Sequence, residues 1–110
     1  MEEFLYNIFK ELDIPAYYIT RKSNSTPCVV YYVIESPKAS SDDEEEITNF
    51  ELFVVLYSGD DFVIQKRKVQ ELLKKHGFKK KIIPKPVYYE DLSYFEQPMQ
   101  YTINVDTANI

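Results

Sequence analysis

The chain is poor in the residues that most chemistry requires. Its 110 residues include one cysteine, Cys28, one histidine, His76, two glycines and no tryptophan. A lone cysteine excludes an intrachain disulfide and an all-cysteine metal site. Two glycines leave little from which to build a glycine-rich phosphate loop. The longest apolar run, Cys28 to Ile34, falls far below the roughly 20 residues of a membrane-spanning helix. Glu2 and Glu3 stand where a secretory signal carries positive charge, so the chain reads as not secreted and not membrane-bound.

What is abundant is tyrosine and unevenly placed charge. Ten tyrosines and seven phenylalanines bring the aromatic share to 15 %, which argues for large half-buried surfaces of the kind that touch partners. The net charge of −5 equals that of one run, Asp42-Asp43-Glu44-Glu45-Glu46. Between Lys66 and Lys85 lie nine basic residues against one acid, Glu71, a local excess of eight positive charges. At this length one domain, 1–110, is expected.

Hydrophobic spacing outlines the elements. Phe4, Leu5, Ile8, Phe9 and Leu12 make one stripe, which predicts a helix over 2–12, with Glu2 and Glu3 suited to its positive end. Pro15 ends it, and 16–20 read as extended, with a short extra strand near Tyr17 as an option. Residues 28–35 and 48–57 read as strands on β-branched and aromatic content. The stretch between them, 36–47, is rich in serine and acid and reads as a mobile acidic loop. Ser58-Gly59-Asp60-Asp61 opens a second helix that runs to about His76 and stops at Gly77, with Phe62, Val69, Leu72 and Leu73 as its apolar stripe. Pro84 and Pro86 make 82–89 an edge strand or extended segment, 90–98 a turn, and 99–106 a final strand. The expected fold is therefore α+β, a mainly antiparallel four-stranded sheet with two helices in the order α-β-β-α-β-β.

The strands carry a second signal. Both faces of the 28–35 strand are apolar, and the 48–57 strand places Phe53, Val55 and Tyr57 opposite Phe50, Leu52, Val54 and Leu56. A sheet with one wet face would be polar on that side. Two helices can cover one face well and hardly both. Tyr31, Phe53, Val55 and Tyr57, together with Lys79, Lys80 and Lys81, are thus the candidate subunit or partner interface. A head-to-tail contact between the basic region of one copy and the acidic loop of the next would close into a ring.

Catalytic residues are not indicated. His76 sits at a helix end beside Gly77, where it complements the dipole, and no nucleophile and carboxylate accompany it in triad fashion. Cys28 opens an apolar strand and reads as a buried thiol. The acid run is contiguous and lacks glycine, unlike a calcium loop. Lys79-Lys80-Lys81 suits a wet surface better than a nucleic-acid motif, given the acidic balance. No cofactor or metal is expected.

One resemblance joins these pieces. An amphipathic helix leads into Ile14-Pro15-Ala16-Tyr17-Tyr18, then Pro27-Cys28-Val29-Val30-Tyr31-Tyr32. The Ser58-Gly59-Asp60-Asp61 turn, the phrase Leu72-Leu73-Lys74-Lys75-His76-Gly77-Phe78 and Tyr88-Tyr89-Glu90 follow. In this order the chain resembles the small tail-terminator or tail-completion proteins of long-tailed bacteriophages and prophages. The resemblance implies a non-enzymatic α+β subunit that forms a ring, commonly a hexamer, at the head-proximal end of the tail tube. Such a ring ends tube polymerisation and joins the tube to the head. It implies a location in the virion tail after assembly in the bacterial host cytoplasm. Its implied partners are copies of itself, the tail-tube protein and the head-tail connector, with DNA only passing through. In that setting Asp42 to Glu46 would line the lumen and repel DNA, or order on contact with the tube. The rival reading is an intracellular adaptor or inhibitor that presents the acidic loop to a basic protein.

Overall fold

The computed structural model describes residues 1–22, 26–38 and 47–106; the acid run Asp42–Glu46 lies outside them. In chain order the elements are α1 (Glu2–Phe9), β1 (Ala16–Tyr18), β2 (Cys28–Lys38), β3 (Ile47–Ser58), α2 (Phe62–Lys75), β4 (Lys79–Ile82), β5 (Val87–Tyr89) and β6 (Tyr94–Asp106). They form one six-stranded sheet in the order β1-β2-β3-β6-β4, with β5 also paired to β6. All pairings are antiparallel except β1 with β2.

This corrects the expected four-stranded antiparallel sheet with the order α-β-β-α-β-β, and each difference has a local cause. Residues 16–18 do pair, because the Val29 N–H donates to the Pro15 carbonyl at 2.9 Å and the Ile19 N–H to the Tyr31 carbonyl at 2.8 Å. That makes β1 a parallel edge strand. The segment after α2 splits in two, since Pro84 and Pro86 offer no N–H to a ladder. The expected turn over 90–98 shrinks to 90–93, where Ser93 takes a left-handed φ of 56°. β6 then starts at Tyr94 and runs straight through Pro98.

Pro98 is tolerated for a reason that the register supplies. Residues 29 and 31 of β2 turn their backbone groups toward β1. Following the unbroken registers across β3, the even-numbered residues of β6 turn theirs away from β3. The N–H that Pro98 lacks would therefore point at the gap between β5, which starts opposite Glu96, and β4, which reaches only to Gln100. The side chain of the fully buried Gln97 closes that gap. Its Nε2 donates to the Pro84 carbonyl at 2.7 Å and to the Pro98 carbonyl at 2.8 Å.

Both helices lie on one face of the sheet. Leu5, Ile8 and Phe9 of α1 and Val69, Leu72 and Leu73 of α2 join Val29, Leu52, Val54, Leu56 and Met99 in a single core. Each such aliphatic side chain, fully buried, contributes about 1.5–3 kcal/mol. α1 ends at Phe9 rather than Leu12, and Phe4 of the expected stripe is exposed. α2 begins one residue after Asp61, whose carboxylate accepts from Ser58 Oγ at 2.6 Å and from Gln65 Nε2 at 2.9 Å. It ends as expected at Gly77, with φ at 90°, the Phe78 N–H on the Leu73 carbonyl and the Gly77 N–H on that of Lys74. Among the described residues no helix is long and apolar enough to cross a membrane.

Candidate interaction surface

Strand alternation sorts every side chain of the sheet to one face or the other. With the helices on one side, the second face is built from Val30, Tyr32 and Ile34 of β2, Phe53, Val55 and Tyr57 of β3, and Pro98 and Gln100 of β6. No helix covers it. Tyr32 stands opposite Phe53 and the rings stack, 4.9 Å between centroids and 13° between planes. Tyr32 is 42 % exposed and Ile34 51 %, while Ile82 and Val87 add exposed apolar area toward the other edge. Apolar area of this kind on one face makes it a candidate contact surface.

The ends of the face are polar and tied down. At one end the Arg21 guanidinium lies over the Tyr57 ring at 4.2 Å and its Nη1 donates to the Tyr94 hydroxyl at 3.3 Å. Glu96 accepts from the Tyr57 hydroxyl at 3.0 Å and from the Tyr89 hydroxyl at 2.6 Å. Burial, then the hydrogen bond to Glu96 and the charge of that carboxylate, push the Tyr57 phenol up to about 12. Toward the other end Lys81 Nζ sits 2.5 Å from Glu51 Oε1, which also accepts from Gln100 at 3.2 Å. Burial opposes charge on Glu51, but Lys81, Thr102 and Gln100 outweigh it and hold the carboxyl below its ordinary range.

The expected interface residues separate on this frame. Phe53, Val55 and Tyr57 share the uncovered face. Tyr31 does not: it is 4 % exposed and packs in the core on Phe9, 4.4 Å between centroids. The adjacent Tyr32 is the outward one. Both residue sets of β2 are apolar, so alternation alone could not choose between them. Lys79, Lys80 and Lys81 line the exposed β4 edge and straddle the sheet, with Lys80 on the helix side and Lys81 reaching Glu51. Asp42, Asp43, Glu44, Glu45 and Glu46 fall outside the described residues.

Sequence reasoning missed Arg21, Glu96, Ile82 and Val87. Arg21 and Glu96 meet Tyr57 across long sequence separations, and no local pattern announces such a pairing. It also missed a division of charge between the two edges of the sheet. Beside β2, a cleft of about 420 Å³ is lined by Met1, Glu2, Glu3, Val33, Glu35 and Phe50. On the β4 side a smaller cleft of about 150 Å³ is lined by Arg67, Gln70, Glu71, Lys74, Phe78, Lys80 and Tyr101.

The residues with catalytic potential are placed structurally. His76 Nε2 lies 2.6 Å from Glu11 Oε2 and Lys75 Nζ 2.8 Å from Glu11 Oε1, so the end of α2 is tied to the turn after α1. Cys28 is a free, buried thiol. A comparison of the sequence with protein-family models finds none that matches, and one with curated proteins finds no match.

Proposed function

We propose that this protein is a non-enzymatic assembly subunit of a long phage or prophage tail. It forms a ring at the head-proximal end of the tail tube, ends tube polymerisation and joins the tube to the head. The observation that carries the assembly reading is one-sided cover. Both helices pack on the same face of the sheet, and the opposite face leaves Tyr32, Ile34, Phe53 and Val55 to be covered by another protein surface. The tail assignment adds the sequence resemblance to that geometry. Its partners are copies of itself, the tail-tube protein and the head-tail connector, and DNA passes without being bound. The site of action is the virion tail, after assembly in the host cytoplasm.

The function is tested by adding the purified protein to the polymerising tail-tube protein of the same phage or prophage genome and imaging the products. Tubes of arrested length with a ring at one end support it. Tubes that grow unchanged, with no added density at either end, defeat it.

A further inference from the structure

Between α2 and β4 lies a basic cleft to which the assembly reading gives no role. Val69, Leu72 and Leu73 turn α2 onto the sheet. Arg67, Gln70, Glu71 and Lys74 follow one another at three- and four-residue spacing on a neighbouring stripe of the same helix. Lys80 stands opposite Tyr101 in the register of β4 with β6, and both project on the helix-covered face. These side chains line the cleft of about 150 Å³ on the β4 side.

Its cations are uncommitted. Lys68 is held by Asp13, Lys75 by Glu11 and Lys81 by Glu51. Among the described residues no carboxylate forms an ion pair with Arg67, Lys74 or Lys80. Glu71 is the one carboxylate in the lining, so three positive charges against one negative leave the cleft two positive charges in excess.

Its buried wall carries an unused donor. Tyr101 is 2 % exposed, and its hydroxyl has no hydrogen-bond partner among the described residues. A buried polar group left in this state is costly. A phenylalanine would fill the same space without that cost. Burial also pushes the Tyr101 phenol above its ordinary value of 10.0, so it stays an O–H donor at neutral pH.

We propose that this cleft binds the phosphate monoester group of a small phosphorylated ligand, with Arg67, Lys74 and Lys80 on the phosphate oxygens and the Tyr101 hydroxyl donating to one of them. Phosphate suits the cleft better than carboxylate. Arg67 and Lys74 are two helical turns apart and Lys80 comes from a strand, so the cations meet a tetrahedral group from separate directions. A planar carboxylate is satisfied by a single guanidinium fork. A monoester carries about −1.5 to −2 charges at neutral pH, which the excess in the lining matches. The cleft is roomy enough for several waters, and so for a phosphoryl group whose ester projects outward. Side chains supply every donor, so no glycine-rich loop is needed. The site is separate from the assembly reading and holds for a monomer and a ring alike.

The test titrates the full chain with inorganic phosphate and with glycerol phosphate, against sodium chloride at matched ionic strength. The melting temperature should rise with a saturating dependence on either probe, and amide signals of Gln70, Lys80 and Tyr101 should move in two-dimensional NMR. Tyr101→Phe and Lys80→Gln should each bind about tenfold more weakly, through loss of one charge-assisted hydrogen bond. Lys75→Gln, which removes a cation already held by Glu11, should bind as the wild type does. Dimethyl phosphate, a singly charged diester, should not compete. No saturable effect beyond that of chloride overturns the site, as does unchanged affinity in Tyr101→Phe. Equal weakening in Lys75→Gln and Lys80→Gln would show general charge attraction and also overturns it. Duplex DNA that displaces phosphate where glycerol phosphate does not would make the cleft a nucleic-acid contact and overturn the small-ligand assignment. If Tyr101→Phe fails to fold, the contrast of Lys80→Gln with Lys75→Gln gives the same decision.

Discussion

The ring of Tyr32 lies flat against that of Phe53, 4.9 Å between centroids, on the face of the sheet that neither α1 nor α2 covers. One position along β3, Leu52 is fully buried against the helices. Two adjacent residues thus face opposite sides, one packed under the helices and the other on the uncovered face.

Substitutions at these neighbours should separate folding from assembly. Leu52→Ala removes a fully buried side chain and should cost about 2–5 kcal/mol in chemical denaturation. Phe53→Glu changes a half-buried position and should alter unfolding far less, yet it should abolish higher-mass species on size-exclusion light scattering. Equal loss of stability in the two variants would contradict the division of faces.

Tyr57 sets an alkaline limit. Its phenol is pushed up to about 12 from an ordinary value of 10.0, by burial first and then by Glu96. A group whose folded pKa is raised stabilises the fold fully below the unfolded value and loses that contribution as pH climbs through the folded one. Stability measured by urea unfolding should therefore fall between pH 10 and about 12. Glu96→Gln should move the Tyr57 titration, followed by ultraviolet absorbance, back toward the ordinary value and narrow this window.

Glu11 acts in the acid direction. Its hydrogen bond to Lys75 first, and that to His76 second, lower its pKa below 4.5. A lowered carboxylate pKa contributes stability above the unfolded value that is lost as pH falls through the folded one. Wild type should melt above Glu11→Gln at neutral pH, and the two should converge as pH falls below 4.5. Added salt should shrink the neutral-pH difference, because the pair is exposed.

Gln97 holds the broken outer strand. Replacing it with leucine keeps the bulk and leaves the Pro84 and Pro98 carbonyls without the Nε2 donor. The cost should be about 1–3 kcal/mol by denaturant unfolding. Hydrogen exchange should quicken locally at Ile82 and Val87, on either side of the gap.

The elements that local chemistry controls were legible, and those that tertiary context controls were not. Gly77 and the spacing of Val69, Leu72 and Leu73 announced α2 and its end. Alternation in β3 separated Phe53, Val55 and Tyr57 from the core set. β1 escaped notice as a full strand because three residues and a parallel partner leave no periodic trace. Residues 94–98 read as turn together with 90–93, and only the register reveals that the missing N–H of Pro98 faces a gap and lets β6 run through it. Tyr31 was assigned outward because both residue sets of β2 are apolar, and the choice belongs to α1, which places Phe9 on Tyr31.

The most direct test of the account is the mass of the unmodified protein in solution, measured by native mass spectrometry beside Phe53→Glu. A closed ring of identical subunits for the wild type, with the variant reduced to monomer and still folded, is the predicted result. A wild type that remains monomeric, or a variant that assembles as it does, would contradict it.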